Sequence, residues 1–574
     1  MSYRSSTLGQ YQSSVAAAQV QMVQENVVPR LWAHDHTLWK PDPKEITNRL
    51  GWLRIASEMQ EALPELQALV QSVRQAGYTH ALLLGMGGSS LAPEVFRKTF
   101  GVQPGYLDLS VLDSTDPGAV LHYAQTLDPA HTLYIVSTKS GGTVETLSFF
   151  KYFYNQVAGA LGAGAQQAGA HFVAVTDPGS TLAEVAAQHN FRATFLNNPN
   201  IGGRYSALSY FGLLPAALVG VDIETLLQRA LEMGRLCENA SPADNPGAQL
   251  GAILGTLACA GRDKVTLIAS PAICEFGNWV EQLIAESTGK EGQGILPVVG
   301  EAPGAPGVYG PDRLFVYLRL VDDHTQDIDV LALEAAGHPL VRLEMNDLYD
   351  LGGQFFLWEI ATALASYFLH INPFDQPNVE SAKVLARRLV AAYQEQGKLP
   401  EPDPTLQDHG IVIYTRLHAE NLRQSLETFL NQAQPGAYIA LQAYIQPSPE
   451  SDAALLDLRT RLRQVTQAEL PVPPLAVTSG YGPRFLHSTG QLHKGDAGKG
   501  LFIQITSQAS QDAAIPDQAG TDASSISFAV LVRAQSLGDR QALLDAGRQV
   551  IRFHITGDVL VGLTRLAKAL ENNE

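Results

Sequence analysis

The stretch "THALLLGMGGSSLAPEVF", Thr79–Phe96, decides the fold. An apolar run of strand length, Ala81–Leu84, is stopped by glycines and serines. A helical pattern with Pro93 in its first turn follows. Short apolar runs bounded by turn residues and alternating with helical periodicity mark βαβ units and a parallel sheet. The pattern returns at Leu133–Val136 and Phe172–Val175. Past residue 240 it restarts with "KVTLIAS", "RLFVYLRL" and "PLVRLEM", then the apolar helix pattern "GGQFFLWEIATALASYFL". "YQEQGKLPEPDPTLQDHG" is rich in proline and charge and reads as a linker. Beyond it, "GIVIYT", "AYIALQAYI", "PLAVTS", "GLFIQIT" and "SFAVLVRA" form another α/β stretch, interrupted by the polar loop "SQASQDAAIPDQAGTDASS". The expected fold is α/β. It comprises a helical arm at 1–60, two doubly wound parallel-sheet lobes at 61–240 and 241–398, and a C-terminal α/β extension at 399–574.

Composition narrows the function. A chain of 574 residues is too long for one core. Hydrophobic residues at 45% and charged residues at 17% are ordinary for a soluble enzyme. The net charge of −18 and the lack of a basic run argue against a nucleic-acid or membrane-surface partner, while leaving room for a small basic pocket. Cys237, Cys259 and Cys274 are odd in number, lack metal-ligand spacing and read as reduced thiols. No signal-peptide core or membrane-length apolar run is seen, so a cytoplasmic location is expected.

Five places can carry chemistry. "LLLGMGGSS" leads a strand into a helix N-terminus where backbone amides and the Ser89 and Ser90 hydroxyls suit an anion; alone it reads as well as a capped tight turn. It lacks both GxGxxG spacing and a following GK[ST]. "LYIVSTKSGGTVETLSFF" repeats the design with more donors. Ser137, Thr138, Ser140 and Thr143 supply hydroxyls, Lys139 a charge, and Gly141 and Gly142 close approach, which favours a phosphate-monoester cradle over a plain cap. Both loops follow strands of the first lobe, where ligands of open parallel sheets gather. Arg204 in "NNPNIGGRYSAL" is either a surface arginine or a fixed cation facing a developing anion. In "FGNWVEQLIAESTGKEGQG", helical spacing puts Gln282, Glu286 and Lys290 on one face. Glu286 is a solvated face residue or, if desolvated, a general base beside a ligand-positioning Gln282. In "INPFDQPNVESAKV", Lys383 is a surface lysine taken alone.

Taken together, these residues resemble the phosphoglucose isomerase family, which is built from two sugar-isomerase (SIS-type) lobes. The family's GGR-[FY]-S pattern appears as Ile201–Ser206 and its DQ-x-x-VE-x-x-K pattern as Asp375–Lys383. Its GGS loop appears as Gly87-Gly88-Ser89, its S-K-T loop as Thr138–Thr146, and its ES-x-GK as Glu286–Lys290. "RLWAHDHTLWKPDP" and the long tail are similar to the isomerase half of transaldolase–phosphoglucose isomerase fusions, although no transaldolase segment fits in this chain. The resemblance implies aldose–ketose isomerisation of glucose 6-phosphate and fructose 6-phosphate through a cis-enediol, as in glycolysis and gluconeogenesis. It implies no cofactor, no metal and a homodimer. It also implies roles. Thr138, Ser140 and Thr143, with Ser89, hold the substrate phosphate, Gly88 and Lys139 also bind substrate, and Gln282 and Gln376 line the site. Glu286 shuttles the proton, Arg204 stabilises the enediolate and Lys383 assists ring opening. The alternatives are a dual phosphoglucose/phosphomannose isomerase and a non-catalytic sugar-phosphate-binding regulator.

One family feature is missing. The ring-opening histidine belongs between the glutamate motif and the next strand, yet "GILPVVGEAPGAPGVYGPDRLF" contains none. The tail segment "SGYGPRFLHSTGQLHKGDAGKG" gathers Tyr481, Arg484, His487, His493 and Lys494 among glycines. It is either a basic surface loop or a lid whose histidine, His487 foremost, replaces the missing group.

Overall fold

The computed structural model describes residues 2–571. Strand β1 (Ser2–Thr7) is followed, after a helical segment, by β2 (His80–Gly85), β3 (Asp108–Leu112), β4 (Thr132–Ser137), β5 (Phe172–Thr176) and β6 (Ala193–Leu196). These last five form an all-parallel sheet in the order β3-β2-β4-β5-β6. Helices cover both faces, so β4 and β5 are buried throughout and read in sequence as unbroken apolar runs. The winding reverses between β2 and β4. At that crevice Gly85 and Ser137 pair in register, and the two glycine-rich loops leave the sheet side by side.

The second sheet holds β7 (Lys264–Ala269), β8 (Leu296–Val298), β9 (Arg313–Leu320) and β10 (Leu340–Met345), in the order β1-β10-β9-β7-β8. Its edge is β1, antiparallel to β10 with Thr7 opposite Leu340. The helix-prone opening segment thus begins with a strand. "SYRSST" has no apolar alternation to announce it, and its pairing with a distant edge creates it. The two lobes share one core, in which Phe96 of the first meets Phe355 of the second. The apolar helix Leu351–Phe368 is buried along nearly its whole length. It packs closely on helix Pro246–Cys259, where a Cβ at Gly251 would sit 2.7 Å from Leu364 Cβ.

The C-terminal sheet contains β11 (Leu406–Asp408), β12 (Ile411–Tyr414), β13 (Tyr438–Tyr444), β14 (Ala476–Tyr481) and β15 (Gly500–Ser507). A small hairpin, β16 (Ala514–Ile515) and β17 (Ile526–Ser527), precedes the last strand, β18 (Gln549–Ile555). The order is β11-β12-β18-β15-β13-β14, parallel from β18 to β14. One face buries Ile439, Leu441 and Ile503 against helices Pro449–Glu469 and Val559–Lys568. The other face buries Tyr438, Ala440 and Phe502 against Ala285, Leu296 and Val298 of the second lobe. The extension is therefore seated beside the helix that carries Glu286.

Two tail segments differ from their polar appearance. In "SQASQDAAIPDQAGTDASS", Ala513 and Ile515 are buried against the first lobe in a cluster with Phe149 and Phe528. The 481–496 segment is not a basic surface loop: Phe485, Leu486 and all of Gly490–Gly495 are buried. Among the described residues no helix is long and apolar enough to cross a membrane.

Candidate active site

The loop after β2 makes a single turn at Gly87–Ser89 before helix Leu91–Phe100. Gly88 admits no side chain, because a Cβ there would lie 2.1 Å from the Gly203 carbonyl oxygen. The GGS loop thus rests on the GGR loop, which carries Arg204. After β4, Thr143 precedes helix Val144–Leu161, and its hydroxyl lies 2.8 Å from that of Thr138. Ser140 Oγ accepts a 3.4 Å bond from the Gly142 amide. Hydroxyls and helix-terminal amides converge here as an oxyanion requires. Lys139 is held elsewhere: its ammonium pairs with Asp177 and donates to the Pro199 carbonyl at 3.0 Å. Its charge is already partnered, so it braces the loop.

Arg204 is 3% exposed. Its Nη2 donates to the carbonyls of Phe374 and Asp375, both at 3.0 Å, and to Gln376 Oε1 at 2.8 Å. Its Nη1 has no hydrogen-bond partner and lies 3.7 Å from Glu286 Oε1. Glu286 is in the last turn of helix Phe276–Thr288. One turn back, Gln282 Nε2 donates to Glu286 Oε2 at 3.1 Å and to the His487 carbonyl at 2.8 Å. The helix ends before Lys290, which leaves the expected shared face. Its buried ammonium instead donates to the Asn372 carbonyl at 2.7 Å and to the Asp375 carbonyl and carboxylate at 2.6 and 2.7 Å. Burial, helped by the Arg204 charge, lowers the Lys290 pKa to about 8. Lys290 therefore fixes the segment on which Arg204 hangs.

The tail brings in His487. A turn at Arg484–His487 lies on the GGS loop so closely that a Cβ at Gly87 would sit 2.7 Å from the His487 carbonyl oxygen. The ring Nε2 lies 3.1 Å from Glu145 Oε1, which also accepts a 2.7 Å bond from Gln535. Burial opposes ionisation of Glu145, but the His487 ring and the Lys383 charge outweigh it and keep its pKa below the usual value. Lys383, on helix Glu380–Gln396, donates to Glu380 Oε1 at 2.9 Å. Ser140, Thr143, Glu145, Lys383, His487 and Gln535 line one cavity of about 310 Å³. Arg204 and Glu286 are outside that lining, and Gln282, bonded to both Glu286 and the His487 backbone, joins the two groups.

His493 does not reach this cavity. It is 3% exposed, 5.0 Å from the Phe502 ring, and burial drives its pKa well below the usual value. Lys494 is buried against Asp539 at 2.6 Å, Arg484 pairs with Asp113 at 3.2 Å, and the Tyr481 hydroxyl donates to Asp452. The sequence reading overlooked Gln535, which lies in an ordinary helical pattern, and gave Glu145 no role. A carboxylate in the first turn after a hydroxyl loop was the available signal.

A parallel-sheet lobe with a hydroxyl-rich loop at its switch point is thus joined to a second lobe that presents a carboxylate to a buried arginine. Residues 54–297 match the family model for phosphoglucose isomerase. The glucose-6-phosphate isomerase of Rubrobacter xylanophilus is 29% identical over 407 residues, 62% of this chain and 91% of that protein. That of Carboxydothermus hydrogenoformans is 27% identical over 59% of this chain and 84% of its own. Two solved structures share the fold with TM-scores of 0.57. One is a hypothetical protein from Thermus thermophilus, 24% identical, with 67% of this chain and 100% of that one covered. The other is a glucose-6-phosphate isomerase from Chlamydia trachomatis, 18% identical, with 66% and 86% covered. Over residues 54–297 the chain is thus similar to phosphoglucose isomerases, and both sequence relatives carry that activity in their names.

Proposed function

We propose that the chain interconverts glucose 6-phosphate and fructose 6-phosphate in two stages divided between the two halves of its site. In the cavity, Ser140, Thr143 and the adjoining amides hold the phosphate, while His487, set by Glu145, opens the sugar ring with Lys383. Histidine gives and takes a proton near neutral pH, as ring opening demands. In the second half Glu286 moves the proton between C1 and C2, and Arg204 faces the enediolate. Abstraction of a proton beside a carbonyl needs an oriented base and a fixed cation at the developing charge. The observation that carries this reading is the Arg204–Glu286 approach at 3.7 Å, where a buried guanidinium nitrogen has no hydrogen-bond partner. The chain works without cofactor or metal, in the cytoplasm and as a homodimer, by the family resemblance. The comparisons favour neither a dual-specificity isomerase nor a regulator, and the presence of Glu286, Arg204 and Lys383 weighs against the regulator.

A coupled assay tests it. Glu286→Gln is nearly isosteric but accepts no proton, so kcat should fall by about 10²–10⁴ with KM little changed. Activity within about twofold of the parent would remove Glu286 from the role of base.

A further inference from the structure

Arg552 in β18 is 2% exposed, yet its Nε has no hydrogen-bond partner among the described residues. It lines a cavity of about 240 Å³ in the C-terminal extension, with Glu401, Thr506, Ser507, Arg533 and His554. The cavity lies at the carboxyl ends of three parallel strands, where Tyr444, Thr506 and His554 are successive cross-strand neighbours. Strand order β14-β13-β15-β18 winds outward from between β13 and β15, so this is the switch point of the third sheet. It is the position that the phosphate loops occupy in the first.

The charges around it are unbalanced. Arg533 pairs with Glu401, and Arg552 Nη2 lies 4.0 Å from the same carboxylate. Two more guanidinium groups, Arg416 and Arg540, lie nearby: burial, then the charges of Arg552 and Arg416, depress the Arg540 pKa. Neither Arg416 nor Arg540 makes an ion pair among the described residues, and Arg540 Nε is buried without a partner. Two further carboxylates line the cavity, and both accept backbone amides: Asp116 from Gly118, and Asp512 from Ala513 and Ala529. The lining itself sets two arginines against three carboxylates, and Arg416 and Arg540 nearby turn the balance to four against three. His554 registers it, since burial together with Arg552 and Arg533 pushes its pKa down to about 4. At neutral pH the ring is uncharged, and its Nδ1 is 2.9 Å from the Thr506 hydroxyl.

We propose that this cavity is a second ligand site, separate from the isomerisation site, that takes a small metabolite through a carboxylate or phosphate group held by Arg552 beside Arg533 and the Thr506–Ser507 hydroxyls. Buried guanidinium and hydroxyl donors recognise either oxyanion. The occupant bears on catalysis through helix Phe528–Asp545. One side of that helix places Arg533 and Ser536 in the second cavity, and the other places Gln535 against Glu145.

The test is titration calorimetry of the full chain with inorganic phosphate and, separately, malonate. The background is the Ser140→Ala/Thr143→Ala variant, which weakens the first phosphate site. Saturable binding near one anion per chain is expected for at least one probe; phosphate alone marks a phosphate-ester site and malonate alone a carboxylate site. Adding Arg552→Gln should weaken it about tenfold or more, the worth of one charged hydrogen bond. Because Arg552 is buried, Ser507→Glu serves as a second variant that places a repelling carboxylate in the cavity, and it should abolish binding. No saturable binding of either anion, or binding unchanged in folded Arg552→Gln or Ser507→Glu, overturns the proposal.

Discussion

Glu145 Oε1 receives hydrogen bonds from two residues of the tail, His487 and Gln535. A carboxylate so placed fixes the ring orientation. His487→Asn should therefore lower kcat/KM for ring-closed glucose 6-phosphate by about 10²-fold, and much less for a substrate enriched in open chain. Glu145→Gln keeps one hydrogen bond but loses the charge, so its loss should be smaller and in the same direction. Equal effects on both substrates would place His487 outside ring opening. At this scale the sequence was uneven. The segments of Arg204, Glu286 and the hydroxyl loop stand out in the sequence as polar residue types at short spacing. The pairing with Glu145 does not, since His487 and Gln535 lie 342 and 390 residues away, and the fold separates His487, the foremost candidate, from His493.

Between the helix end at Thr288 and the 372–376 segment, Lys290 acts as a clamp. It bonds the Asn372 and Asp375 carbonyls, and Arg204 Nη2 shares the Asp375 carbonyl and adds that of Phe374. Because burial holds the Lys290 pKa at about 8, the ammonium is intact at neutral pH and is lost as pH rises through that value. The clamp then loses its charge, and kcat/KM should fall on an alkaline limb near pH 8. Asp375→Asn removes a negative charge that supports the ammonium, so the limb should move to lower pH. A pH–rate profile flat to pH 10, or a limb unmoved by Asp375→Asn, would exclude this origin. The element pattern itself was readable where burial on both faces left unbroken apolar strands. It failed at β1, whose polar residues become a strand only through the edge of β10.

Across the whole molecule, the extension packs against both groups of candidate site residues. Its sheet packs on Ala285 and Val298 beside the Glu286 helix, and its helix Phe528–Asp545 lies along helix Glu380–Gln396, which carries Lys383. Sequence pattern showed an α/β unit there but not where it docks, because docking rests on side chains that look like ordinary helix and strand surface. The closest approach is at Gly538, where a Cβ would meet the Ala386 amide nitrogen at 2.8 Å and the Ala382 carbonyl at 3.0 Å. Both contacts are backbone, so neither can swing aside, and overpacking of this kind costs about 1–3 kcal/mol. Gly538→Val should push the two helices apart, shifting Lys383 and, through Gln535, Glu145 and His487. Arg204 and Glu286 belong to the two lobes and should keep their geometry. The expected variant is folded, with a lower Tm. Its kcat/KM for ring-closed glucose 6-phosphate should fall about tenfold or more, with proton transfer on an open-chain substrate largely retained. If both activities fall together, the helix pair supports the whole site; if neither falls, the extension does not position the ring-opening group.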